Sequence, residues 1–225
     1  MGSIGRKVAV GVAVVTLATG TVVGVASGSA AHAATAACGS GCVEPYSQQF
    51  GSGSILSTAA GTVEPGLTVD LAAAGAYSAE DFIVHDFGPV SNFYQAGLVG
   101  PVVGQTWPAD PTYEFEYAPN GIESGLCLGL ATAAAAGEGV TLQACGVNAN
   151  TVWIGLSADD IGGYQPLINA TDTIADTPYV LTAARSARVR VGSDPLYLEV
   201  NQLSLVDGAF DPGQMWANET GVLGG

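Results

Sequence analysis

CLGLATAAAAGEGVTLQACGVNANTVW, residues 127–153, places Cys127 and Cys145 eighteen residues apart and Trp153 eight beyond the second cysteine. Within it, Val140-Thr-Leu142 has the alternation of a strand with one buried face, and thirteen residues separate Val140 from Trp153. The step recurs twice: Val69-Asp-Leu71 stands thirteen residues before Phe82, and Leu203-Ser-Leu205 thirteen before Trp216. In the first two copies the correspondence extends backwards, because Leu56 precedes Val69 by thirteen as Cys127 precedes Val140. In the third, Tyr179-Val-Leu181 opens the unit only with an insertion of about ten residues. Three units, none able to bury its own hydrophobic face, would close around a common axis and bury it together. Elsewhere Gly, Pro, Asn and Asp break the chain into short apolar runs, which predicts many short strands. Tyr113–Tyr117, Leu196–Val200 and Phe82–Phe87 read as strands. The tract Ala133–Ala136 allows one helical turn before Gly137 and Gly139 end it.

Cys127-Leu-Gly-Leu, Val140-Thr-Leu-Gln-Ala-Cys145 and Asn150-Thr-Val-Trp153 together resemble one unit of the ricin-B-type β-trefoil, whose units run C-L-D-V, V-Q-L-W-x-C and N-Q-x-W. Gln214-Met-Trp216 supplies a literal Q-x-W. The resemblance implies an all-β, three-unit β-trefoil: a closed barrel capped by hairpins, Trp153 and Trp216 in the shared core, and a cysteine pair stapling one unit. The units are expected at roughly 46–100, 113–160 and 164–225.

In that family a sugar pocket combines a carboxylate for vicinal hydroxyls, an aromatic plate and an Asn-Gln pair, which suits a ring polar at its rim and partly apolar on its faces. The match fails position by position. In the second unit Gly129 stands at the carboxylate and Gln143 at the plate, leaving Asn150 in place and Thr151 where Gln would be. The first unit has Ala72 at the plate and Ala79-Glu80 at the pair; the third has Val206 and Gly213-Gln214. A fold does not carry its sites with it. Candidate ligand contacts are therefore Asn150 and Gln214 from the inherited positions, and Trp107, Tyr94 and Asp110 from the stretch between the first two units, where a Pro-flanked Trp beside an acid offers a sugar platform or else covers the barrel.

Residues 1–33 read as a secretory signal: Arg6 and Lys7, an apolar run to about Val25, and Ala31-His32-Ala33 at the cleavage positions. The mature domain would span 34–225, with Arg185, Arg188 and Arg190 its only cations against 20 Asp and Glu, a net charge of −17. Such a surface excludes nucleic acid and anionic lipid as partners, and no second apolar stretch long enough to span a bilayer follows. Four cysteines in an exported chain, Cys38, Cys42, Cys127 and Cys145, allow three pairings, of which proximity favours Cys38–Cys42 and Cys127–Cys145. The longer loop would stabilise the fold by roughly 3 kcal/mol.

No enzyme and no cofactor are expected. His85 is the one histidine after cleavage, no G-x-S-x-G stretch presents a serine, and nothing singles out a carboxylate pair. Asp159-Asp160 and Asp207 with Asp211 lack the D-x-[DN]-x-[DN]-G calcium loop and read as solvated turns. The three arginines either pair with neighbouring acids or meet an acidic polymer. The expected function is binding of an extracellular polysaccharide or cell-surface glycan; the alternative is a protein-interaction or structural module without a sugar site.

Overall fold

A computed structural model describes residues 42–58, 62–74, 81–183 and 196–218. The expected signal peptide, Cys38, Ala79-Glu80 and the three arginines lie outside the described residues. The strands are β1 (Cys42–Val43), β2 (Tyr46–Ser47), β3 (Ser54–Thr58), β4 (Val69–Ala73), β5 (Phe82–Pro89), β6 (Pro111–Tyr117), β7 (Leu126–Leu130), β8 (Glu138–Ala144), β9 (Trp153–Gly155), β10 (Leu167–Asn169), β11 (Tyr179–Ala183), β12 (Leu196–Gln202), β13 (Leu205–Val206), β14 (Ala209–Phe210) and β15 (Trp216–Ala217). Two short helices, α1 (Val90–Gln95) and α2 (Pro101–Thr106), lie between β5 and β6.

Six staves close into a ring. β1 pairs with β5, β5 with β6, β6 with β9 and β9 with β10, all antiparallel. Gln165, just before β10, exchanges backbone bonds with Trp216 of β15 at 3.0 and 2.9 Å, and β15 pairs with β2. β1 and β2 are halves of one stave interrupted at Glu44-Pro45. Pro45 has no N–H to give the ladder, and its carbonyl accepts from the Leu56 N–H of β3 at 2.9 Å. Closure leaves the barrel no open edge.

The hairpins β3–β4, β7–β8 and β11–β12 cap one end, with Leu56 opposite Leu71, Leu128 opposite Leu142 and Leu181 opposite Val200. Each hairpin touches the other two: β12 pairs with β4 and with β8, and Thr68 bridges to Thr141. Six staves and three hairpins in this order make a β-trefoil.

Phe82, Trp153 and Trp216 each open the fourth strand of their unit, all at 0% exposure within one core cluster. Trp153 Nε1 donates to the Leu128 carbonyl at 2.9 Å and Trp216 Nε1 to the Leu181 carbonyl at 2.8 Å. Those two leucines occupy the same place in their hairpins, so the two contacts are one contact repeated by the pseudo-threefold axis. Cys127 and Cys145 are bonded across β7 and β8, Cα to Cα 5.0 Å. Cys42 is also disulfide-bonded.

The third unit departs from the thirteen-residue step. Its cap strand carries Leu198-Glu-Val200, opposite Ala183 and Leu181, and not Leu203-Ser-Leu205. Leu205, 63% exposed, goes instead into a small β13–β14 hairpin that turns at Asp207-Gly208, both left-handed (φ 53° and 83°), the conformation an Asp-Gly hairpin turn requires. Val206 lies on this hairpin, so the plate position of the third unit is Asn201. The first unit likewise begins earlier than expected, at Cys42, and the Ala133–Ala136 tract is a hairpin loop without helix.

Candidate ligand-binding surface

The hairpin site of the second unit is assembled and filled. A Cβ on Gly129 would lie 2.9 Å from the Asn150 carbonyl oxygen, 3.1 Å from Thr151 Cγ2 and 3.2 Å from Gln143 Cγ. The positions that hold carboxylate, plate and amide in the resembled family therefore converge, but the volume of a carboxylate is taken by their own atoms. Asn150 Nδ2 donates to the Leu130 carbonyl at 2.9 Å, and Gln143 Nε2 to Thr141 Oγ1 at 2.8 Å. Gln214 is an internal strut and not a ligand contact. It is 2% exposed; its Oε1 accepts from Ser204 N and Oγ at 2.9 and 3.2 Å, and its Nε2 donates to Gln202 O and Thr182 Oγ1 at 2.9 and 3.2 Å. Both lone pairs and both N–H groups are occupied.

The remaining candidates lie on or beside the helical insertion. Trp107 is half-buried and packs on a second apolar cluster, built from Val90, Phe93 and Val103 of the insertion against Ile154, Ile168 and Val180 of the trefoil, so it covers the flank of the barrel. Asp110 Oδ1 accepts from Ser157 N and Oγ at 3.2 and 2.5 Å; burial, and then the Asp110 charge, push the neighbouring Asp159 carboxyl upward. Tyr94 differs: it is 37% exposed, and a Cβ on Gly104 would stand 2.3 Å from its Cγ. The ring thus rests on the bare backbone of α2, and Gln105 Nε2 donates to its hydroxyl at 3.2 Å.

A shallow depression beside α1 is lined by Asn92, Phe93, Ala96, Leu98 and Val147, and none of the five expected contacts lines it. Its walls follow from local rules. Gly97, left-handed at φ 73°, ends α1; Gly97 N donates to Tyr94 O at 3.0 Å and Leu98 N to Phe93 O at 2.9 Å, a Schellman closure that brings Leu98 back to Phe93. Val147 is a β-branched residue at φ 55°, a conformation costing about 1–3 kcal/mol. Buried Glu114 holds it there, accepting from Val147 N at 3.0 Å and from the Thr151 hydroxyl. The signal missed in the sequence was Asn92-Phe-Tyr-Gln-Ala-Gly-Leu98, a helix end with Gly at the capping position.

Neither a protein-family model nor a curated protein sequence matches the chain. Solved structures do share its fold. A designed 3-fold symmetric protein, ThreeFoil, is 15% identical with a TM-score of 0.52, over 79% of this chain and 97% of ThreeFoil. An exo-β-1,3-galactanase from Clostridium thermocellum is 12% identical with a TM-score of 0.52, over 82% of this chain and 30% of the galactanase. A mosquitocidal holotoxin is 9% identical with a TM-score of 0.51, over 79% of this chain and 17% of the toxin. At these identities the likeness establishes the β-trefoil fold, which in the last two corresponds to a minor part of a longer protein.

Several acids of the trefoil hold local structure. His85, about one-third exposed on β5, has Nε2 2.8 Å from Glu116 Oε2 and stacks on Phe87; Glu116 Oε1 accepts from Gly125 N at 2.7 Å. Asp160 and Asp211 accept from the turn amides of Gly163 and Gly213 at 3.0 and 2.9 Å. Among the described residues no group of three or more His, Cys, Asp or Glu gathers as for a metal, and no helix is long and apolar enough to cross a membrane.

Proposed function

We propose that the chain is a secreted, non-catalytic binding protein whose ligand is an extracellular polysaccharide, engaged by the helical insertion and not by the hairpin positions. One observation carries this reading: the exposed Tyr94 ring, laid on Gly104 and tethered by Gln105. An aromatic face already fixed before binding takes the apolar face of a pyranose with little loss of side-chain freedom. The occurrence of the same fold within an exo-β-1,3-galactanase and a mosquitocidal holotoxin supports this reading. In the second unit Gly129, Gln143 and Asn150 are packed or bonded internally, as is Gln214 in the third, so these positions offer no open carboxylate, plate and amide.

The test is a glycan array and affinity electrophoresis on soluble polysaccharides with residues 34–225. Wild type is expected to be retarded by at least one polysaccharide, and Tyr94→Ala to weaken that retention about tenfold with the melting temperature almost unchanged. A folded sample that binds no glycan rules the reading out and leaves the interaction module.

A further inference from the structure

Between β6 and β7 the chain turns through Ala118-Pro-Asn-Gly-Ile122, where two successive residues are left-handed: Asn120 at φ 55°, ψ 31° and Gly121 at φ 75°. Asn accepts this conformation more readily than most side chains, and Gly accepts it freely. Asn120 is exposed and Ile122 is 70% exposed, so the turn projects into solvent. Of the seven asparagines in the chain only Asn120 precedes a glycine. Most of the others are held: Asn148 Oδ1 accepts from Asn150 N, Asn150 Nδ2 donates to Leu130 O and Asn201 Nδ2 to Glu199 Oε1, while Asn169 and Asn218 are buried. The Asn120 carboxamide makes no hydrogen bond among the described residues. A backbone nitrogen with no Cβ beside it can approach the preceding carboxamide carbon unhindered.

We propose that Asn120-Gly121 is a site of spontaneous deamidation and that the native turn sets its rate. The Gly121 nitrogen bonds to Asn120 Cγ and gives up its proton, the Cγ–Nδ2 bond breaks, and ammonia leaves behind a five-membered imide. Water then adds to either imide carbonyl and opens the ring to aspartate or isoaspartate. Water is the only co-reactant, and nothing is oxidised or reduced. The folded geometry holds the first step back. At ψ 31° the Gly121 nitrogen stands nearly anti to the Asn120 Cβ and out of reach of Cγ, and it donates to Ala118 O at 2.8 Å. The following residues pin the turn: Ser124 Oγ donates to Tyr117 O at 2.5 Å and accepts from Leu126 N at 3.1 Å, and Glu116 Oε1 accepts from Gly125 N at 2.7 Å. Imide formation therefore waits on local opening of these bonds. Either product adds a negative charge near exposed Glu123, in a chain whose net charge is already −15.

Incubating the folded protein at mildly alkaline pH, then separating it by ion exchange and mapping its peptides by mass spectrometry, tests the assignment. A more acidic species should accumulate whose new carboxyl is at position 120, as a mixture of aspartate and isoaspartate, before any other asparagine changes. Unfolding in urea should speed the conversion, and Ser124→Ala should speed it severalfold in the folded state by loosening the turn. Asn120→Gly, which suits the left-handed backbone, should abolish the acidic species while circular dichroism stays native. Earlier conversion at another asparagine, an acidic species that persists in Asn120→Gly, or equal rates in the folded and unfolded chain overturns the proposal.

Discussion

At the residue scale, sequence type and spatial role separate most clearly at Gln214. The Q-x-W pattern names it as a site residue, yet its amide ties Ser204 and Gln202 to Thr182 of β11. Gln214→Ala is expected to orphan buried groups at roughly 1–3 kcal/mol each, lowering stability in urea titrations without changing glycan retention. Tyr113 makes a pH-dependent case. Burial, then the Asp86 charge and more weakly that of Asp110, push its hydroxyl up to about 12 against the opposing hydrogen bond from Gln165. Because the folded value is the higher one, the stability this group contributes is intact below about pH 10 and is lost as the pH rises through 12. The loss is up to about 3 kcal/mol, and ultraviolet titration of the folded chain should find Tyr113 among the late-ionising tyrosines, an assignment that Tyr113→Phe checks.

At the scale of elements, the unit of construction is a hairpin whose middle leucine carbonyl receives the indole of the next stave. Trp153→Phe reproduces the residue type of the first unit, where Phe82 packs 5.4 Å from Tyr117, but the second unit has been built around an indole. It leaves the Leu128 carbonyl without its donor and opens a small void, at a cost of about 2–4 kcal/mol, to be read from the denaturant midpoint. The strands Tyr113–Tyr117 and Leu196–Val200 were legible because alternation survives in them. The two helices were not, since six residues give too short a period to declare itself and their stability comes from packing Val90, Phe93 and Val103 on the trefoil. The third cap strand was misplaced for a related reason: Leu203-Ser-Leu205 has the right pattern, but Leu198 and Val200 have cross-strand partners in β11 and Leu205 has solvent.

At the scale of the whole molecule, charge is the dominant feature. With 20 acidic residues against five basic ones, and every described carboxylate without a Lys or Arg among the described residues, the folded state repels itself more than the expanded chain does. Raising sodium chloride from low ionic strength to about 0.5 M, where screening lengths fall below 10 Å, is expected to raise the melting temperature by about 2–4 °C, equivalent to about 1 kcal/mol. Thermal melts at pH 7 across salt concentration check this; a flat profile would mean that the acids are spaced too widely to interact.

The sequence alone pointed to three units with Phe82, Trp153 and Trp216 at equivalent places, its resemblance to a trefoil unit implied the closed barrel, and proximity favoured the Cys127–Cys145 pair that the structure shows. Burying strand faces and large rings is a demand that spacing and residue type already express. Tertiary structure decided what could be touched from outside. Whether an amide such as Gln214 or Asn150 faces a ligand or a neighbouring carbonyl, and whether a ring such as Tyr94 or Trp107 lies open or covered, depends on which backbone atoms chain-distant loops bring within hydrogen-bonding and contact distance.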